Sequence, residues 1–164
     1  ASIAELSDLS ERDMFIARVI DEYEIDVDTY LDRASEYVLR VLKFDWWKDY
    51  AGRHGFSITQ VDSNGKTVSS FDENKLDLNN YDLINIHCFY TLHLIYKAIA
   101  TQLASNYETA AKNSDAWKRE FETHFERLVN VSDFYDQNED GLIDEDELND
   151  NPHTTQRFGR RYIR

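Results

Sequence analysis

Apolar residues recur at helical spacing in four long stretches of this chain and at strand spacing in one. Ser10 is placed to cap a first helix whose inner face carries Met14, Phe15, Val19 and Ile20. A second helix is predicted from about Asp28 to Phe44, with Leu31, Ala34, Val38, Val41 and Leu42 as its stripe and Trp46 and Trp47 near its end. Those tryptophans read as core or subunit-contact anchors rather than a ligand box. Ile58–Val61 and Thr67–Phe71 flank Ser63-Asn64-Gly65-Lys66, and Asn-Gly between two strand-like runs predicts a hairpin. Asp82 to Ala104 is the most apolar segment. Asn85, His87, His93, Lys97 and Gln102 interrupt it, which favours a central buried helix over a membrane span. A last helix is predicted over Ser114 to Val131, where Trp117, Phe121, Phe125 and Leu128 share a face and Asn113, Ser114 and Asp115 supply the cap.

The expected fold class is therefore mainly α: a helical bundle of about four to five helices, one small inserted β-hairpin near 57–71, and an extended C-terminal arm. Its expected division is a helical domain over 1–135, a loop over 136–147 and an arm over 148–164. One proline, five glycines and 22 aromatic residues in 164 agree with a packed helical core. The lone cysteine, Cys88, sits among apolar residues and reads as a buried thiol. His87 and His93, six apart, fall on different helix faces and make a poor metal pair. Both read as helix histidines satisfied by local hydrogen bonds. Residues 1–13 are polar and acidic, so folding in a cytoplasm is expected.

Candidate chemistry is concentrated in Asp136–Glu147, DQNEDGLIDEDE. A twelve-residue EF-hand loop presents oxygen ligands at positions 1, 3, 5, 7, 9 and 12 and a glycine at position 6. Here those positions hold Asp136, Asn138, Asp140, Leu142 through its carbonyl, Asp144 and Glu147, with Gly141 at the turn and Ile143 as the inward apolar residue. Calcium takes six to eight oxygens at flexible geometry, so alternate side chains of a tight loop converge on it. The bland alternative is an acidic solvated turn. After Glu147 the run Leu148-Asn149-Asp150-Asn151-Pro152 resists a second helix, and the chain holds no second loop of this kind. Calcium is accordingly expected as a structural staple. No phosphate-cradling glycine loop, His/Cys cluster or nucleophile elbow occurs, so an enzyme is not expected.

Charge is uneven. The chain carries 18 basic and 32 acidic residues, net −14. Residues 157–164, RFGRRYIR, hold four arginines and no acid, leaving −18 on the remainder. The acidic body disfavours phosphate-backbone binding. Arg157, Phe158, Arg160, Arg161, Tyr162 and Arg164 are the candidate partner-binding residues, since arginine and aromatic residues are enriched at interfaces. A frayed solvated tail is the alternative.

The order of features resembles the head-to-tail adaptor (connector) proteins of tailed bacteriophages: a capped N-terminal helix, the Tyr30-Leu-Asp-Arg-Ala-Ser-Glu-Tyr-Val-Leu-Arg helix ending near Trp46-Trp47, a hairpin, the Tyr90-to-Ala100 helix, the Trp117-to-Val131 helix, an Asp-rich loop and an Arg-ending tail. The resemblance implies a virion protein of the head–tail junction, made in the host cytoplasm. It implies a homo-oligomeric ring of about twelve copies, closed by heterologous contacts. Such a ring docks on the portal protein above and on tail, stopper or nozzle proteins below. DNA passes its bore during ejection without sequence-specific binding, and no membrane is involved. The inserted hairpin and the complete calcium loop are additions to that pattern. The competing expectation is a small soluble calcium-binding regulatory protein with a single EF-hand-like loop.

Overall fold

The computed structural model describes residues 3–102 and 107–137. The fold is mainly helical with one two-stranded antiparallel hairpin, as the patterning predicts. In chain order the elements are α1 (Leu6–Arg12), α2 (Ile16–Glu22), α3 (Val27–Val41), a π-helical turn (Leu42–Trp46), α4 (Trp47–His54), β1 (Thr59–Val61), β2 (Thr67–Ser69), a 3-10 turn (Glu73–Lys75), α5 (Tyr81–Gln102) and α6 (Tyr107–Val131). They divide into two compact units, 1–38 with 81–126 and 39–80 with 127–164. The extended arm expected over 148–164 lies outside the described residues.

In the first unit α5 is the centre. Leu83, Ile86, Cys88, Leu92, Ile95 and Ile99 are all buried, so the helix is apolar around most of its circumference. Its polar residues are buried as well, and each ties α5 to a different segment. Arg12 Nε donates to Asn85 Oδ1 at 2.7 Å, joining α1. His87 Nε2 lies 2.8 Å from the Leu31 carbonyl and 3.0 Å from Ser35 Oγ, joining α3. His93 Nδ1 lies 3.0 Å from the Ser114 carbonyl, and Ser114 Oγ donates to the His93 carbonyl at 3.1 Å, joining α6. Tyr96 Oη donates to Asp13 Oδ2 at 2.6 Å, joining the α1–α2 break. The interruptions in the apolar run are thus interhelical ties. The partners of both histidines are distant in sequence, not local. Burial pushes the Cys88 thiol up to about 12, which makes it inert.

Two helix starts differ from expectation. Ser10 lies inside α1, where its hydroxyl donates back to the Leu6 carbonyl at 3.2 Å. The chain breaks instead at Asp13, whose Oδ1 accepts from Phe15 N at 2.9 Å. That break rotates Ile16 into the core at 0 % exposure and leaves Met14 and Phe15 outside at 81 % and 60 %. Likewise α6 begins at Tyr107, seven residues ahead of the expected cap. Ser114 is buried in mid-helix because its hydroxyl has His93 as a partner. Interhelical bonding here overrides the local capping preference of serine.

The second unit is built on aromatic rings. The helix expected to stop near Phe44 continues through the π turn into α4. A π turn adds a residue to the helical repeat and shifts the phase of the next helical turns. Trp46 and Trp47, adjacent in sequence, are both buried there, at 4 % and 1 %. Helix α4 closes on Gly55 at φ +74°, a left-handed position suited to glycine. The hairpin pairs Thr59 with Ser69 and Val61 with Thr67. Its turn is held by Asp62, whose Oδ1 accepts from Asn64 N and Lys66 N at 2.9 Å each, and by Gly65 at φ +78°.

The two buried histidines set an acid limit on stability. Burial is the largest influence on each and lowers both pKa values below the ordinary histidine value; at His87 it outweighs the Leu31 carbonyl and the nearby Asp8 and Asp32, which favour the cation. His87 Nδ1 is also enclosed without a hydrogen-bond partner among the described residues, so a proton there would meet no acceptor. The folded pKa lies below the unfolded one, so below about 6.5 the unfolded chain binds more protons and stability falls with pH, by at most about 1.4 kcal/mol per pH unit per histidine. Melting temperature should therefore drop between roughly pH 7.5 and 5.5. His87→Gln, which keeps a donor for Leu31 but cannot ionise, should flatten that slope. An unchanged slope in the variant would refute the assignment.

Candidate functional site

The site is reached along the segment that leaves α6. Helix α6 stops at Val131, and residues 132–137 continue as an extended segment before the Asp-rich loop. The incoming side therefore departs from the helix–loop–helix arrangement of an EF-hand. In its place, 132–137 lies along 72–80. Asn80 Nδ2 donates to the Asp133 carbonyl at 2.9 Å and to Ser132 Oγ at 3.3 Å. Asp77 N donates to the Phe134 carbonyl and Asp136 N to the Lys75 carbonyl, each at 2.8 Å, around an antiparallel bridge between Leu76 and Tyr135. Lys75 Nζ then donates to the Gln137 carbonyl at 2.8 Å.

Side chains on both sides of this segment are buried. Successive residues of extended chain point to opposite faces, so Phe134 at 0 % and Tyr135 at 1 % exposure mean that both faces are covered. The Tyr135 ring lies 5.4 Å from Trp46, 5.3 Å from Trp47, 5.5 Å from Tyr50 and 5.8 Å from Phe71, centroid to centroid. Phe134 lies 4.8 Å from Trp46. Its hydroxyl gives Tyr135 a polar end as well, accepting from Asp72 N at 3.3 Å. Trp47 Nε1 donates to Ser70 Oγ at 2.9 Å, which ties the hairpin strand to the same cluster. Trp46 and Trp47 therefore serve as core anchors within this unit.

The consequence for metal chemistry is positional. Asp136, the first candidate ligand, has its backbone bonded to Lys75, so the point where the loop begins is fixed. Gln137 Oε1 beside it is enclosed without a hydrogen-bond partner among the described residues. A hard oxygen donor in that state fits a site for a hard cation. The remaining candidate ligands Asn138, Asp140, Leu142, Asp144 and Glu147 lie outside the described residues, as do Arg157, Phe158, Arg160, Arg161, Tyr162 and Arg164. Among the described residues no group of three or more His, Cys, Asp or Glu side chains is arranged to hold a metal, and no helix is long and apolar enough to cross a membrane. The docking of 132–137 was not legible in the sequence; Phe134-Tyr135 directly after a helical stripe was the available signal.

No protein-family model matches the chain, and neither the curated proteins nor the solved structures yield a match.

Tyr135→Ala should cost about 3–5 kcal/mol of stability, as removal of a large buried aromatic does. Tyr135→Phe, which loses only the Asp72 contact, should cost about 0.5–1.5 kcal/mol. Denaturant titration of the two variants checks the order; equal costs would show that the ring is not the anchor.

Proposed function

We propose that this chain is a structural assembly subunit whose C-terminal segment is directed by a calcium-stapled loop. More particularly, we read it as a ring-forming head-to-tail adaptor of a tailed bacteriophage, seated between the portal and the tail. The observation that carries the reading is the docking of 132–137. A chain that has only to expose a flexible acidic tail needs no double-faced burial of Phe134 and Tyr135 immediately before it. A subunit that must send a basic segment away in one direction does. Calcium, when bound, would close Asp136, Asn138, Asp140, Leu142, Asp144 and Glu147 around one centre and carry that fixed direction through the loop. In this account Arg157–Arg164 is the part that meets a neighbouring protein, and the acidic body keeps the duplex in the bore from sticking.

The reading is tested on the full chain, with calcium and with a chelator, by light scattering for mass and symmetry and by thermal melting. The expected outcome is a closed cyclic oligomer, and a loss of roughly 3 kcal/mol of stability on chelation from about 100 times Kd. A monomer whose apolar surface opens on calcium addition would instead make it a calcium-responsive regulatory protein. No change in melting would remove calcium from the account.

A further inference from the structure

The first unit contains a cleft of about 360 Å³ between α2, α5 and α6, with Phe15, Val19, Tyr23, Tyr96 and Ile99 forming its apolar walls and Glu22 its charged rim. Its volume is at the low end of the roughly 300–1,000 Å³ found for binding pockets. Two features make it more than a packing gap. Phe15 lines it while remaining 60 % exposed, beside Met14 at 81 %. A run of carboxylates adjoins it: Asp21, Glu22, Glu24, Asp26 and Asp28 are all exposed, with no basic residue between them. The alternating Tyr23, Ile25 and Val27 pack against the core of the unit and so hold those carboxylates outward.

We propose that this cleft is the docking site for residues 157–164 of a second copy of the chain. The complementarity is in both charge and shape. RFGRRYIR carries four arginines against five carboxylates, and interleaves them with Phe158, Tyr162 and Ile163 for an apolar cleft walled by aromatic rings. Arginine stacks on aromatic faces and pairs with carboxylates in two-pronged fashion. Two different patches of one subunit then meet, and such a contact closes into a ring when its rotation is right. The proposal rests on the ring-forming reading above and names the surface that reading lacks.

Two full-length variants test it. One carries Arg157→Glu, Arg160→Glu, Arg161→Glu and Arg164→Glu. The other carries Asp21→Lys and Glu22→Lys, which place positive charge at the C-terminal end of α2, where a helix dipole favours it, so the unit should stay folded. Native mass measurement in calcium should show the wild type assembled and each variant weakened by at least roughly tenfold in assembly concentration. Mixing the two should give a one-to-one heterodimer, since one contributes an intact cleft and the other an intact arginine segment. Wild-type assembly matched by the Asp21/Glu22 variant would overturn the cleft while leaving the ring standing. A monomeric wild type would overturn both. Loss of assembly in both variants without a heterodimer on mixing would also overturn the proposal.

Discussion

The antiparallel bridge between Leu76 and Tyr135 is the contact on which the second unit depends. It places a six-residue extended segment against 72–80, with backbone hydrogen bonds on either side of the bridge and side-chain ties at both ends. Without that segment the rings of Trp46, Trp47, Tyr50 and Phe71 would lose Tyr135 from their midst, and Trp46 would lose Phe134 too. Neither strand of the hairpin is long enough to be stable alone, since isolated two-stranded hairpins are marginal in water. The hairpin is tied to the aromatic cluster by the Trp47–Ser70 bond, and the cluster is completed by the extended segment after α6. Local order in this unit thus comes from residues far apart in sequence.

The first unit solves a different problem. A helix as apolar as α5 could pack against its neighbours in several rotations, because dispersion and burial are not directional. Four buried polar side chains, Asn85, His87, His93 and Tyr96, remove that freedom, each tying the helix to a different segment. Specificity is obtained at a cost: the rings of His87 and His93 are held toward their neutral forms, and His87 Nδ1 goes without a hydrogen bond among the described residues.

How much of the fold was legible in the sequence depends on how local each signal is. The central helix, the hairpin turn at Asn64-Gly65 and the buried character of Cys88 depend on periodicity or on one dihedral angle, and each appears as read. Ser10 and Ser114 misled because a serine hydroxyl serves a cap or a neighbouring group equally well. Asp13 and His93 decided the matter, through bonds to Tyr96 and Ser114 that no local pattern announces. The π turn was hidden because Trp46-Trp47 can be read as the end of one helix or the phase change between two. At the candidate site, the oxygen spacing of Asp136–Glu147 is visible in letters, whereas the extended approach through Phe134 and Tyr135 is a tertiary pairing that no local pattern encodes.

The central claim is that calcium acts on a loop whose beginning is already fastened, and so stiffens the departure of the C-terminal segment without reorganising the helices. Amide hydrogen exchange of the full chain with calcium and with chelator addresses it residue by residue. The account predicts greater protection in calcium at Asp136 and Asp77, the two amides that bracket the bridge, with α5 unchanged. Equal exchange at those amides in both conditions, or increased exchange across α5 on adding calcium, would contradict it.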